Sequence, residues 1–134
     1  MIPICISSSK DILIGTRAGR VHVIFRLPET VTTILGKTDA PLAWPKEPLA
    51  YVEWYQSFRH EPDSVTGMFV VKKGHSTDFS IIPVSSIRQV CMLIPRFRDN
   101  SNWKKEWNSS NVLDNCSNFY LNNWQSNYAY QTLW

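Results

Sequence analysis

The 134-residue sequence predicts an all-β fold: a single small antiparallel β-barrel over residues 1–134, with a short helix and an aromatic C-terminal tail. Three observations predict it. Two-residue alternation of apolar and polar residues recurs along the chain, while helical periodicity is almost absent before residue 100. The apolar runs are short and are separated by turn-forming Gly, Pro, Asn, Asp and Ser. About seven such strands in a chain of one-domain length close most simply into a barrel, which removes the free edges they otherwise expose.

The clearest strand is RVHVIFRL, residues 20–27. Val21, Val23, Phe25 and Leu27 point one way, toward the core. Arg20, His22, Ile24 and Arg26 point the other way, onto a wet and basic face. A weaker strand, DILIG at 11–15, precedes it across the turn TRAG. Residues 28–48 carry Pro28, Pro41, Pro45 and Pro48 and form a long connection with a short strand at 30–35. A connection of this length is expected to pack against the body, with Trp44 as its anchor.

LAYVEWY (49–55), MFVVKK (68–73) and DFSIIPV (78–84) follow as three strands of an antiparallel meander, joined by the turns HEPDSVTG and GHST. In the first, Ala50, Val52 and Trp54 share one face and Tyr51, Glu53 and Tyr55 the other. In the third, Phe79 and Ile81 lie on one side, and Pro83 marks an end or an edge. A helical turn at 85–89 leads to a strand at 90–94. A polar loop covers 98–111, Ser110 or Asn111 caps a short helix at VLDNCSN, and FYLN (119–122) is the final strand. The tail carries Trp124, Tyr128, Tyr130 and Trp134, rings that are expected to dock.

Hydrophobic residues make up 43% of the chain, aromatic residues 13% and charged residues 19%, a globular profile and not a disordered one. The formal net charge is +3, from 14 basic and 11 acidic residues, too mild for a dedicated duplex binder. Cys5, Cys91 and Cys116 are odd in number and widely spaced, which fits free thiols in a reducing compartment better than a disulfide framework or a zinc site. The N-terminus lacks the pattern of a signal peptide, and the longest apolar run, VCMLIP, is too short to span a membrane. An intracellular location is expected, and a nuclear one would accompany a chromatin partner.

The ordered segments GRVHVIFRLPE, PLAYVEWYQSFR, GMFVVKK, SIIPVSSIRQVCMLIPRF and NVLDNCSNFYLN resemble the C-terminal region of fungal transposase-like proteins of the Plavaka/KDZ kind. The likeness runs from about Asp11 to Tyr130. It implies descent from a mobile element. It does not imply transposition, because the family's catalytic carboxylates lie upstream of this region. The order of motifs is also similar to BAH-type modules, small β-barrels that read chromatin or bind partner proteins, a likeness at the level of fold.

Two surfaces carry the binding expectations. The first is Tyr51, Glu53 and Tyr55, with Arg20, His22 and Arg26 beside them. Two rings flanking a carboxylate suit a cage for methylated lysine, or a platform for stacked bases. The competing reading places these rings in the core. The second surface is Arg96, Arg98, Lys104 and Lys105 with Trp103 and Trp107 interleaved, a mixture of charge and rings that suits single-stranded nucleic acid. Asp99 and Glu106 dilute it.

Catalysis finds little support. His22, His60 and His75 do not converge, since His60 and His75 fall in turns at opposite ends of a strand. There is no Cys-x-x-Cys or His-x-x-x-His pair, no phosphate-cradling glycine loop and no nucleophile elbow. The expectation is a non-catalytic module without cofactor or metal, engaging a protein or chromatin partner. An accessory nucleic-acid-binding domain is the alternative, and a small hydrolase is third.

Overall fold

In the computed structural model, residues 2–6, 17–57, 61–75, 78–97 and 108–122 are described. Ten strands run through them: β1 (Ile2–Ile6), β2 (Arg17–Phe25), β3 (Thr30–Thr33), β4 (Gly36–Asp39), β5 (Leu49–Trp54), β6 (Phe69–Lys72), β7 (Phe79–Pro83), β8 (Ile87–Val90), β9 (Leu93–Pro95) and β10 (Asn118–Leu121). A 3-10 turn at Val84–Ser86 precedes β8, and a one-turn helix α1 (Val112–Asn115) precedes β10. The predicted strand at 11–15, most of the 98–111 loop and the aromatic tail lie outside the described residues.

The strands form three antiparallel sheets. One has five strands in the order β7-β5-β2-β1-β8, one has three in the order β6-β10-β9, and β3 and β4 make a hairpin. The fold is therefore mostly β and antiparallel, as expected, but no closed barrel forms among the described residues. The predicted meander is also corrected. β5 pairs directly with β7, from Leu49↔Pro83 to Glu53↔Phe79, while β6 crosses to β10. The isolated bridge Tyr55↔Lys73, reinforced by the Gln56 N–H donating to the Lys72 carbonyl at 2.9 Å, links the two larger sheets there among the described residues.

Each larger sheet has its own core. On one face of β5, Ala50 and Val52 are fully buried against Val21, Trp54, Ile82, Val84 and Ile87. On the opposite face, Tyr55 and Ala18 join Phe69, Val71, Cys91, Cys116, Phe119 and Leu121 of the second sheet. Burial of such side chains contributes about 1.5–3 kcal/mol each, so this seam is where the two sheets hold together. Cys91 and Cys116 are buried in this seam as small apolar core residues. Gly19 is required by close approach: a Cβ there would sit 2.5 Å from Val52 Cγ1.

Residues 28–48 are tied to the body at their far end, where the Val84 N–H donates to the Pro48 carbonyl at 2.9 Å and the Ser85 hydroxyl donates to Glu47 Oε2 at 2.7 Å. Most of the segment is exposed, and Trp44, expected as its anchor, is half-exposed.

Candidate functional site

The site is one face of the five-stranded sheet, where β2, β5 and β7 lie side by side. Cross-strand partners share a face, so the registers lay out its rows. Val23, Tyr51 and Ile81 form one row, and Arg20, Glu53 and Phe79 the next. Between them β2 carries one extra residue: Val21 faces Val52 but Val23 faces Tyr51, so His22 is bulged. A bulge turns the alternation over. That is why Val23, predicted on the core side, is exposed beside Tyr51, and why His22 leans over the same rings.

Tyr51 and Phe79 stack with centroids 5.1 Å apart and planes at 11°. The His22 ring stands edge-on to Phe79 at 5.6 Å and tilted to Tyr51 at 6.1 Å. Tyr51 is 36% exposed, and Val23 and Ile81 flank it as exposed aliphatics.

Beside the rings lies a chain of charges. His22 Nε2 and Glu53 Oε2 are 2.9 Å apart, with the imidazole N–H donating to the carboxylate. Arg20 Nη1 donates to Asp114 Oδ1 at 2.6 Å and lies 3.8 Å from Glu53 Oε2. Lys73 Nζ donates to the Asp114 carbonyl at 3.0 Å. Arg20 is only 3% exposed, and its Nε finds no hydrogen-bond partner among the described residues. The hydrogen bond from Arg20 holds the Asp114 carboxyl below the usual carboxylate range. Such a cluster is close to neutral and fixes α1 onto the first sheet.

The predicted residues thus part company. Tyr51, Glu53, His22 and Arg20 come together. Tyr55 does not belong to a surface cage: it is 3% exposed, meets Phe119 edge-on at 5.8 Å, and burial pushes its phenol well above its ordinary range. The basic stripe is corrected as well. Arg20 is buried and paired, and Arg26 lies exposed past the end of β2, away from the cluster. Of the second surface, Arg96 covers the Tyr120 ring at 4.9 Å, while Arg98, Trp103, Lys104, Lys105 and Trp107 lie outside the described residues. His60 lies outside them too, and His75 sits in an exposed turn.

Phe79, Ile81 and Asp114 were not anticipated in the site. Alternation does put Phe79 and Ile81 on one side, but only the β5–β7 pairing brings that side to Tyr51. Nothing local signals Asp114, which reaches Arg20 from 94 positions away.

Among the described residues no three His, Cys, Asp or Glu side chains converge as a metal site, and no helix is long and apolar enough to cross a membrane. Fold and site define a class: an antiparallel β-domain with a half-exposed aromatic sheet face beside a self-neutralised ion cluster. No family model, curated protein or solved structure matches the chain.

Proposed function

We propose that this domain is a non-catalytic binding module, derived from a transposase C-terminal region of the Plavaka/KDZ kind, that receives a segment of a protein or chromatin partner on the Tyr51–Phe79 face. The observation that carries it is the parallel ring stack left half-exposed between Val23 and Ile81. Rings in a core are normally covered; a flat aromatic and aliphatic face bordered by fixed charges matches the make-up of a protein-binding patch. The half-exposed π-face of Tyr51 favours a peptide that brings a basic or methylated side chain over the rings. The charged groups support binding over catalysis, because Arg20, Glu53, Asp114 and His22 are spent on one another.

A partly open, BAH-like barrel is the finer form of this proposal. The corner at Tyr55↔Lys73 and the short Cys91–Met92 step from β8 to β9 support it, since the first bridges the two larger sheets and the second carries the chain from one to the other.

Fluorescence anisotropy tests the reading, with labelled basic peptides, unmodified and lysine-methylated, beside single- and double-stranded oligonucleotides. Peptide binding weakened at least about tenfold by Tyr51→Ala, about 1.4 kcal/mol, is expected. Oligonucleotide binding that falls steeply with salt and ignores Tyr51→Ala would replace the proposal with the nucleic-acid reading.

A further inference from the structure

We propose that the β3–β4 hairpin pairs with the same hairpin of a second copy of this chain, β4 against β4, about a twofold axis at Thr38. The hairpin belongs to neither larger sheet, and among the described residues no strand pairs with its outer edges. All of its residues are exposed except Val31, which is half-buried. A lone two-stranded hairpin is marginal in water, and its open edge is a template for another strand.

The hydrogen-bond parity selects which residues offer that edge. The Ala40 N–H donates to the Glu29 carbonyl at 2.8 Å, and the register continues as Thr30↔Asp39, Val31↔Thr38, Thr32↔Lys37 and Thr33↔Gly36. Bonded and non-bonded pairs alternate along an antiparallel ladder. Val31 and Thr38 are therefore a bonded pair, and the backbone N–H and C=O groups of Lys37 and Asp39 face outward.

A twofold axis at Thr38 makes three matches at once. Lys37 and Asp39 become bonded partners of Asp39 and Lys37 in the second copy, using every outward group between them. The same pairing sets Lys37 across from Asp39, twice, as opposite-charge cross-strand pairs. Within its own hairpin neither has a charged neighbour across the strand: Lys37 faces Thr32 and Asp39 faces Thr30. Finally, the hairpin tip comes alongside the chain that follows β4 in the other copy, Leu35 by Pro41 and Ile34 by Leu42. Ile34, Leu35 and Leu42 are among the most exposed apolar side chains of the domain. An isologous contact of this kind closes on itself and gives a dimer, not a fibre.

Sedimentation velocity on the full chain over a wide concentration range tests this. A reversible monomer–dimer equilibrium is expected. Lys37→Asp should raise the dissociation constant about tenfold or more, by replacing two attractions with two repulsions. Lys37→Asp combined with Asp39→Lys should restore it. Far-UV circular dichroism of each variant should match the parent. Thr38→Cys should give a covalent dimer on mild oxidation that the parent chain does not, since a non-bonded antiparallel pair brings its Cβ atoms within disulfide reach. A chain that stays monomeric to about millimolar concentration, or a dimer indifferent to Lys37→Asp, overturns the proposal.

Discussion

Arg20 shows how far one side chain can decide a surface. A guanidinium taken out of water is costly unless paired, and here the pairing comes from Asp114 on α1, with Glu53 nearby. Asp114 keeps 58% of its side chain exposed, so the attraction is partly screened. Removing it nevertheless strands a buried cation. Asp114→Ala should cost about 1–2 kcal/mol in urea unfolding at neutral pH. The pH dependence has a definite sign. The Asp114 pKa is lowered in the folded state, chiefly by the hydrogen bond from Arg20. Its contribution is present above the ordinary carboxylate pKa of about 3.9 and is lost as pH falls through the lower folded value. Melting temperatures of the parent and Asp114→Ala should therefore differ most near neutrality and converge as the pH falls below the ordinary carboxylate range.

Elements were legible where their signal is local. β2, β5, β6, β7 and β10 announce themselves by alternation between turn residues, and α1 by the polar run before it. β1 did not, because IPICI is a short apolar run with no alternation, a pattern that fits a strand or a buried helix alike. The faces of β2 were half legible: the alternation is right up to Val21 and reversed after the bulged His22, and no residue type marks a bulge of this kind. Strand pairing was misread because adjacency in sequence favours a meander, whereas β6 finds a better partner in β10, whose Phe119 and Leu121 are fully buried. The return from β6 toward β7 depends on a tight backbone approach at Gly74, where a Cβ would collide with the carbonyl oxygen of Trp54 at the end of β5. A backbone atom cannot swing aside as a side-chain tip can. Gly74→Ala should destabilise the domain by about 1–3 kcal/mol, read as a lowered urea midpoint with unchanged m value. Gly36, at the tip of the β3–β4 hairpin, has φ +116° but open space around it, so Gly36→Ala should be felt through backbone strain alone and cost less.

At the scale of the whole molecule, β5 is the hinge of the design. One of its faces builds the core of the first sheet, and the other changes character along its length. Tyr55 closes the seam between the two larger sheets, Glu53 joins the ion cluster, and Tyr51 is left half-exposed on the proposed binding face. The sequence shows three residues on one side of a strand; their different fates follow from how far the second sheet and α1 extend over that side, which is a matter of long-range packing. The division between a ring that holds the fold and a ring that is free to bind is most directly tested by equilibrium urea unfolding of Tyr55→Ala and Tyr51→Ala. Tyr55→Ala is expected to lose about 3–5 kcal/mol, as for a large aromatic removed from a core, and Tyr51→Ala under about 1 kcal/mol. Equal losses, or a greater loss at Tyr51, would contradict it.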